Sequence, residues 1–191
     1  FLGRDPEFIL PNGLDIEKFP TIEEITRKHN IQRNRIRKFL IYYFFPYYSF
    51  DISQTIIFYT AARYEFRNKG IDVYIQSLAR LNEKLKKEKS KKTVVSFFWI
   101  PANVSGINKN LLKFREIFND IQNSLEEVEE EMEDTILYSL ISQRDIKVSD
   151  LLDSQMMLSL KSKIREMKSE NALPPLATHD LIDPYDPIIK A

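Results

Sequence analysis

Cysteine is absent from this 191-residue sequence, which removes disulfides, cysteine-ligated zinc and thiol nucleophiles together. Glycine is scarce, with 4 residues, so a glycine-rich loop that cradles phosphates with backbone N–H groups is not expected. The two histidines, His29 and His179, lie far apart in the chain, and no histidine-rich metal site is expected. Charge of neither sign dominates: 28 Lys and Arg balance 28 Asp and Glu. That balance argues against a dedicated nucleic-acid binder while leaving room for a local basic patch. No signal-peptide pattern and no apolar run of membrane-crossing length is read in the sequence, so a cytoplasmic protein without membrane partners is expected. The aromatic run Phe39–Tyr48 is short and interrupted by Pro46, and reads as buried packing.

What is present suits a globular domain. Hydrophobic residues make up 43%, including 13 Phe and 9 Tyr, ample material for a core. Glu7-Phe8-Ile9-Leu10 followed by Pro11-Asn12-Gly13 reads as a strand stopped by turn chemistry. Thr21 and Glu24 have the spacing of a capping box, which predicts a helix running to about Phe45. Within it Arg27, Lys28, Arg33, Arg35, Arg37 and Lys38 form a basic cluster, read as a solvated face ahead of an anion or polysaccharide contact.

Thr55–Ala62 and Thr93–Ile100 are continuous β-branched and aromatic runs, the pattern of strands buried on both faces of a parallel sheet. Between them Ile71, Tyr74, Ile75, Leu78, Leu81 and Leu85 recur at spacings of three and four, an amphipathic helix. Strand, helix and strand make a βαβ unit. Farther on, Leu111, Phe114, Phe118, Ile121, Leu125, Val128 and Met132 alternate spacings of three and four, a heptad seam. Glu126–Asp134 is almost wholly acidic. One projecting helix from about Asn108 to Ser142, roughly 50 Å long, is expected. Ser149–Lys168 would be its returning arm, ended by Leu173-Pro174-Pro175 because proline cannot continue a helix.

The chemistry concentrates in Ala61–Gly70, between the first strand and its helix. Ligands of parallel α/β sheets bind beyond the carboxyl ends of the strands, which is where Arg63 falls. Lys69 falls at the helix entry, where free N–H groups and the helix dipole favour an anion. Two cations and a helix N-terminus can hold a diphosphate. By spacing alone, ordinary surface charge accounts for them as well.

The run Arg63-Tyr64-Glu65-Phe66-Arg67-Asn68-Lys69-Gly70-Ile71-Asp72-Val73, continuing through Ser77–Asn82, resembles the R-Y-E-x-x-N-K-G-x-D and A-L-A-R-L-N patterns of the eukaryotic-type (fungal and animal) glycogen synthases. Ile9–Leu14 resembles the family's I-L-P-N-G-L at its interdomain crossing. Lys92–Val95 with Pro101-Ala102 resembles its T-V-V strand and P-A element. Leu173-Pro174-Pro175, Thr178-His179 and Asp186-Pro187 follow in the family's order. Thr178-His179-Asp180 departs from the family's T-H-N, which puts any role of that asparagine in doubt.

The resemblance implies an α/β fold: a partial GT-B, Rossmann-like domain carrying a long antiparallel α-helical coiled-coil insertion. Residues 1–20 would close the N-terminal domain and make the crossing, and 21–50 would be a helical linker. Residues 51–106 with 171–191 would form part of the C-terminal Rossmann-like domain, and 107–170 the insertion. It implies retaining transfer of glucose from UDP-glucose to the 4-hydroxyl at the non-reducing end of an α-1,4-glucan, glycogen. Arg63 and Lys69 would be the catalytic, nucleotide-sugar-binding cations on the donor diphosphate, with no metal and no cofactor. Asn12, Gly13, Glu65, Asn68 and Gly70 would shape the hinge and loop, and His179 is read as a packing residue. The insertion would join copies into a homo-oligomer, a tetramer being favoured. The family's E-P-W-G-Y-T-P-A-E-type motif does not occur here, so a central segment inactive by itself is expected. The alternative is a non-catalytic coiled-coil oligomerisation or scaffold module, which has no use for two cations at a strand's carboxyl end.

Overall fold

A computed structural model describes residues 8, 13, 15–169 and 172–191; the strand expected at Glu7–Leu10, and Asn12, lie outside the described residues apart from Phe8. The chain divides into two units, residues 1–38 and 39–191. Helix α1, Ile22–Phe44, opens with the expected capping box: the N–H of Glu24 donates to Thr21 Oγ1 (3.3 Å) and that of Thr21 to Glu24 Oε2 (3.1 Å). Arg27, Lys28, Arg33 and Arg35 are exposed, the arrangement of a solvated face.

In the second unit the βαβ unit is present as read. Strand β1, Thr55–Ala61, pairs in parallel with β2, Thr93–Trp99, and helix α2, Ile71–Lys87, connects them. On α2 Ile71 is fully buried, Tyr74, Ile75, Leu78, Leu81 and Leu85 are partly buried, and the Tyr74 hydroxyl meets Ser96 Oγ of β2 at 2.7 Å. Burial on both strand faces is not observed. Tyr59 and Trp99 meet as tilted rings with centroids 5.0 Å apart yet are 64% and 56% exposed. Unbroken apolarity records what a strand is suited to touch, and a two-stranded sheet offers few neighbours to touch.

The aromatic run does pack. Phe39 stacks on Tyr43 at 5.0 Å and meets Phe97 of β2 at 5.7 Å, while Leu40 and Pro46 are fully buried. The end of α1 is closed from far along the chain. Lys168 Nζ donates to the Phe45 carbonyl (2.7 Å) and the Ser169 N–H to that of Pro46 (2.8 Å), a cation where the helix dipole is negative. The Tyr43 hydroxyl donates to the Pro175 carbonyl at 2.5 Å, tying down the double proline.

Strand β3, Val104–Ile107, was not legible as a strand. It pairs antiparallel with β4, His179–Leu181, in a two-stranded sheet separate from that of β1 and β2. Between these strands lies the helical insertion: α3 (Lys109–Glu126), α4 (Glu129–Ile141), α5 (Val148–Leu151) and α6 (Ser154–Met167). Helix α3 starts at Asn108, whose Oδ1 accepts the N–H groups of Asn110 and Leu111 (3.1 and 3.2 Å). Its stripe packs Phe114 and Ile117 against Met167 of α6, with Tyr42, Tyr47 and Ile121 around them. Lys113 pairs with Glu166 at 3.1 Å, and Lys163 Nζ donates to Ser124 Oγ at 3.1 Å, so the two helices run antiparallel.

The single long helix is a correction. The helix breaks at Val128, whose φ and ψ are −117° and 14°. Glu126 and Glu127 sit at the C-terminal end of α3, where the helix dipole repels carboxylates. Glu129, Glu130 and Glu131 form the first turn of α4, where it attracts them. Ending one helix and starting another places three of these five charges favourably. The returning arm likewise begins later than Ser149: Asp153 caps α6 by accepting the Met156 N–H at 2.6 Å. The stretch expected as one helix is therefore two, α3 and α4. Helix α7, Pro187–Lys190, ends the chain. Among the described residues, no helix is long and apolar enough to cross a membrane.

Candidate functional site

Strand β1 delivers its chain to the edge of the sheet, and the Ala62 N–H still donates to the Trp99 carbonyl (3.3 Å). From Arg63 the backbone turns on itself. The Glu65 N–H donates to the Arg63 carbonyl (2.8 Å), Lys69 to Glu65 (2.9 Å), Gly70 to Arg67 (2.9 Å) and Ile71 to Phe66 (3.0 Å). The turn closes at Gly70, where φ is +65° and ψ 26°. This left-handed conformation is open to glycine and strained for other residues. The expected loop role of Gly70 thus has a backbone cause.

The backbone uses its hydrogen bonds internally and leaves the charged side chains outside. Arg63 is 79% exposed, with its Nε 3.4 Å from Glu65 Oε1. An exposed pair of this kind contributes about 1 kcal/mol at most. Lys69 and Asn68 are exposed as well, while Glu65 is half-buried. The expected help from free N–H groups at the helix entry is largely missing. The donors of Gly70 and Ile71 are taken by carbonyls, and that of Val73 by the Asp72 carboxylate at 2.9 Å. The positive charge of the loop lies on the exposed side chains of Arg63, Arg67 and Lys69. Gly13 is exposed with open space around it.

Tyr64, between the cation and its partner, was missed as a functional candidate. Its ring turns inward and its hydroxyl donates to Asp186 Oδ2 at 2.5 Å. Asp186 is 7% exposed, and its Oδ1 accepts the N–H groups of Ile188 and Ile189 (2.9 and 3.2 Å), capping α7. Burial, then the hydrogen bond to Asp186, push the Tyr64 phenol up to about 12. The signal was available: Tyr64 and Asp186 stand inside two of the motif-like stretches, 122 residues apart. Only the fold joins them. Beside the pair is a cavity of about 350 Å³ lined by Tyr64, Pro101, Asn103, Asp183 and Asp186 among others; neither Arg63 nor Lys69 lines it.

His179 is exposed rather than packed, its Nδ1 2.9 Å from Thr178 Oγ1. Asp180 accepts the Asn108 side-chain amide at 3.1 Å, a contact between β4 and the start of α3. Among the described residues, no group of three or more His, Asp and Glu could hold a metal ion.

A family model described as glycogen synthase matches residues 1–191. The chain is 36% identical to glycogen [starch] synthase isoform 1 of Saccharomyces cerevisiae, an alignment that takes in 99% of this chain and 28% of that protein. It is 34% identical to glycogen [starch] synthase of Neurospora crassa and 33% identical to the liver glycogen [starch] synthase of Homo sapiens, in each case over 99% of this chain and 27% of the other. The chain therefore spans little more than a quarter of the length of these relatives.

Proposed function

Because the chain belongs to the glycogen synthase family, we propose that it supplies the cationic part of a nucleotide-sugar site in a glucosyltransferase. Arg63 and Lys69 hold the diphosphate of UDP-glucose, and glucose passes with retention to the 4-hydroxyl at the non-reducing end of an α-1,4-glucan. The observation that carries this reading is the loop at the carboxyl end of β1, which satisfies much of its own backbone and leaves Arg63 and Lys69, with Arg67 between them, exposed. In the reaction the bond from the sugar's C1 to the phosphate oxygen breaks and its electron pair stays on UDP. C1 bonds to the acceptor oxygen, which gives up its proton. Negative charge grows on the diphosphate as the bond breaks, and fixed cations beside it lower the barrier. The two side chains take the part that a metal would otherwise play, and no cofactor is invoked.

The same reading places β1, α2 and β2 in a Rossmann-like domain of GT-B architecture in a cytoplasmic enzyme. It assigns residues 107–170 to association of copies, with a tetramer favoured. Support comes from α4, where Leu137, Tyr138, Leu140 and Ile141 are all more than half exposed, the kind of apolar surface that an interface covers. The test is glucosyl transfer to glycogen by the longest polypeptide that carries these residues. Arg63→Ala and Lys69→Ala should each lower kcat/KM by about 10²–10³, the cost of one lost transition-state donor. Unchanged kcat/KM in both variants overturns the reading.

A further inference from the structure

The loop from Arg63 to Gly70 is closed by short-range backbone bonds, which fix its shape and not its place. Among the described residues, its backbone hydrogen bonds stay within the loop or pass to the first turn of α2, where the N–H groups of Ile71 and Tyr74 donate to the carbonyls of Phe66 and Gly70 (3.0 and 2.9 Å). Its one recorded side-chain hydrogen bond to a distant part of the chain is that from Tyr64 to Asp186. Asp186 is well made for anchoring. One carboxylate oxygen is held by the two N–H groups of α7, which leaves the other aimed at the phenol. A hydrogen bond to a charged acceptor belongs to the strong class, and Asp186 itself is buried.

We infer that Tyr64 is a positioning residue: through Asp186 it fixes the loop that carries Arg63 and Lys69 against the segment beginning α7. The inference rests on the diphosphate reading of those two cations. Tyr64 stands between Arg63 and Glu65, so its anchor sets the backbone from which both members of the Arg63–Glu65 pair extend. Displacing a charged group by about 1 Å is enough to cost on the order of 100-fold in rate when its task is to meet developing charge.

The experiment uses the longest polypeptide carrying these residues and measures kcat and KM for UDP-glucose, with the thermal midpoint alongside. Tyr64→Phe keeps the ring and removes the donor. Asp186→Asn keeps a capping oxygen for α7 and offers the phenol a neutral partner, and Arg63→Ala reports on the underlying reading. Tyr64→Phe should lower kcat/KM by about 10- to 100-fold, the factor that matches loss of a hydrogen bond to a charged group, with kcat falling; the midpoint should drop as well, because the Asp186 oxygen loses its donor. Asp186→Asn should fall between wild type and Tyr64→Phe, and the double variant should be no worse than Tyr64→Phe alone. Should Arg63→Ala lose activity while Tyr64→Phe keeps wild-type kcat and KM, the positioning role is overturned and the diphosphate reading stands. A Tyr64→Phe protein with a lowered midpoint but intact kinetic constants equally overturns it, as a purely structural contact. If Arg63→Ala itself is unimpaired, the reading beneath the inference fails and the inference goes with it.

Discussion

Two regions of this chain treat their side chains in opposite ways. The connection from β1 to α2 satisfies its backbone internally and holds Arg63 and Lys69 out in water. The helices from α3 to α6 bury one apolar stripe, Phe114 and Ile117 against Met167, and then leave the apolar end of α4 uncovered, Ile141 being 75% exposed. Exposed charge is stable in water with or without a ligand. A cluster of exposed apolar groups is costly in water and awaits another apolar surface. The difference marks a candidate interface by physical chemistry alone, whereas the candidate ligand site is marked by its sequence motif.

Breaking the buried half of the helical region should have the largest effect. Phe114→Ala removes a ring from the α3–α6 core and should destabilise the chain by about 3–5 kcal/mol, read from urea unfolding. A shift below about 1 kcal/mol would mean that this core is not well packed. Gly70→Ala addresses the loop. A Cβ there meets nothing within 4 Å, so its cost is conformational, about 1–2 kcal/mol for a left-handed residue.

Alkaline titration sharpens the comparison further. Burial raises both Tyr43 and Tyr64 to about 12 in the folded chain, against about 10 when unfolded. Between these values the unfolded state binds fewer protons than the folded one. Stability, complete below about pH 10, should therefore fall as pH rises toward about 12. Tyr64→Phe should make that fall shallower in unfolding curves taken across the window. The smallest effect on folding belongs to the open surface of α4. Leu137→Ser with Leu140→Ser should change stability by no more than about 0.5 kcal/mol. If copies associate through this face, the same double variant should sediment more slowly than the wild-type chain, and identical sedimentation would dismiss the face as an interface.

Much of this was legible in the sequence where local pattern decides the outcome. The Thr21–Glu24 capping box, the βαβ unit and the loop before Gly70 follow from hydrogen-bonding chemistry and periodicity within a few residues. The heptad spacing from Leu111 to Met132 misled, because apolar periodicity says nothing about a dipole that changes sign along the acidic run, and the helix breaks at Val128. Strand β3 escaped notice because Val104–Ile107 is short and gains its identity only from pairing with β4. Of the site, the cations were readable as a motif beside a strand end. Tyr64 and Asp186 each stand in a motif-like stretch, but no sequence pattern reveals that a phenol and a carboxylate so far apart meet.

The most direct test of the central claim is a titration of this chain with pyrophosphate, followed by backbone amide NMR shifts and repeated with UDP. The account predicts that the largest shifts fall on residues 63–70, weaken with added salt, and vanish in an Arg63→Ala, Lys69→Ala double variant that keeps its fold. Shifts centred elsewhere, or unaltered in the double variant, would contradict it.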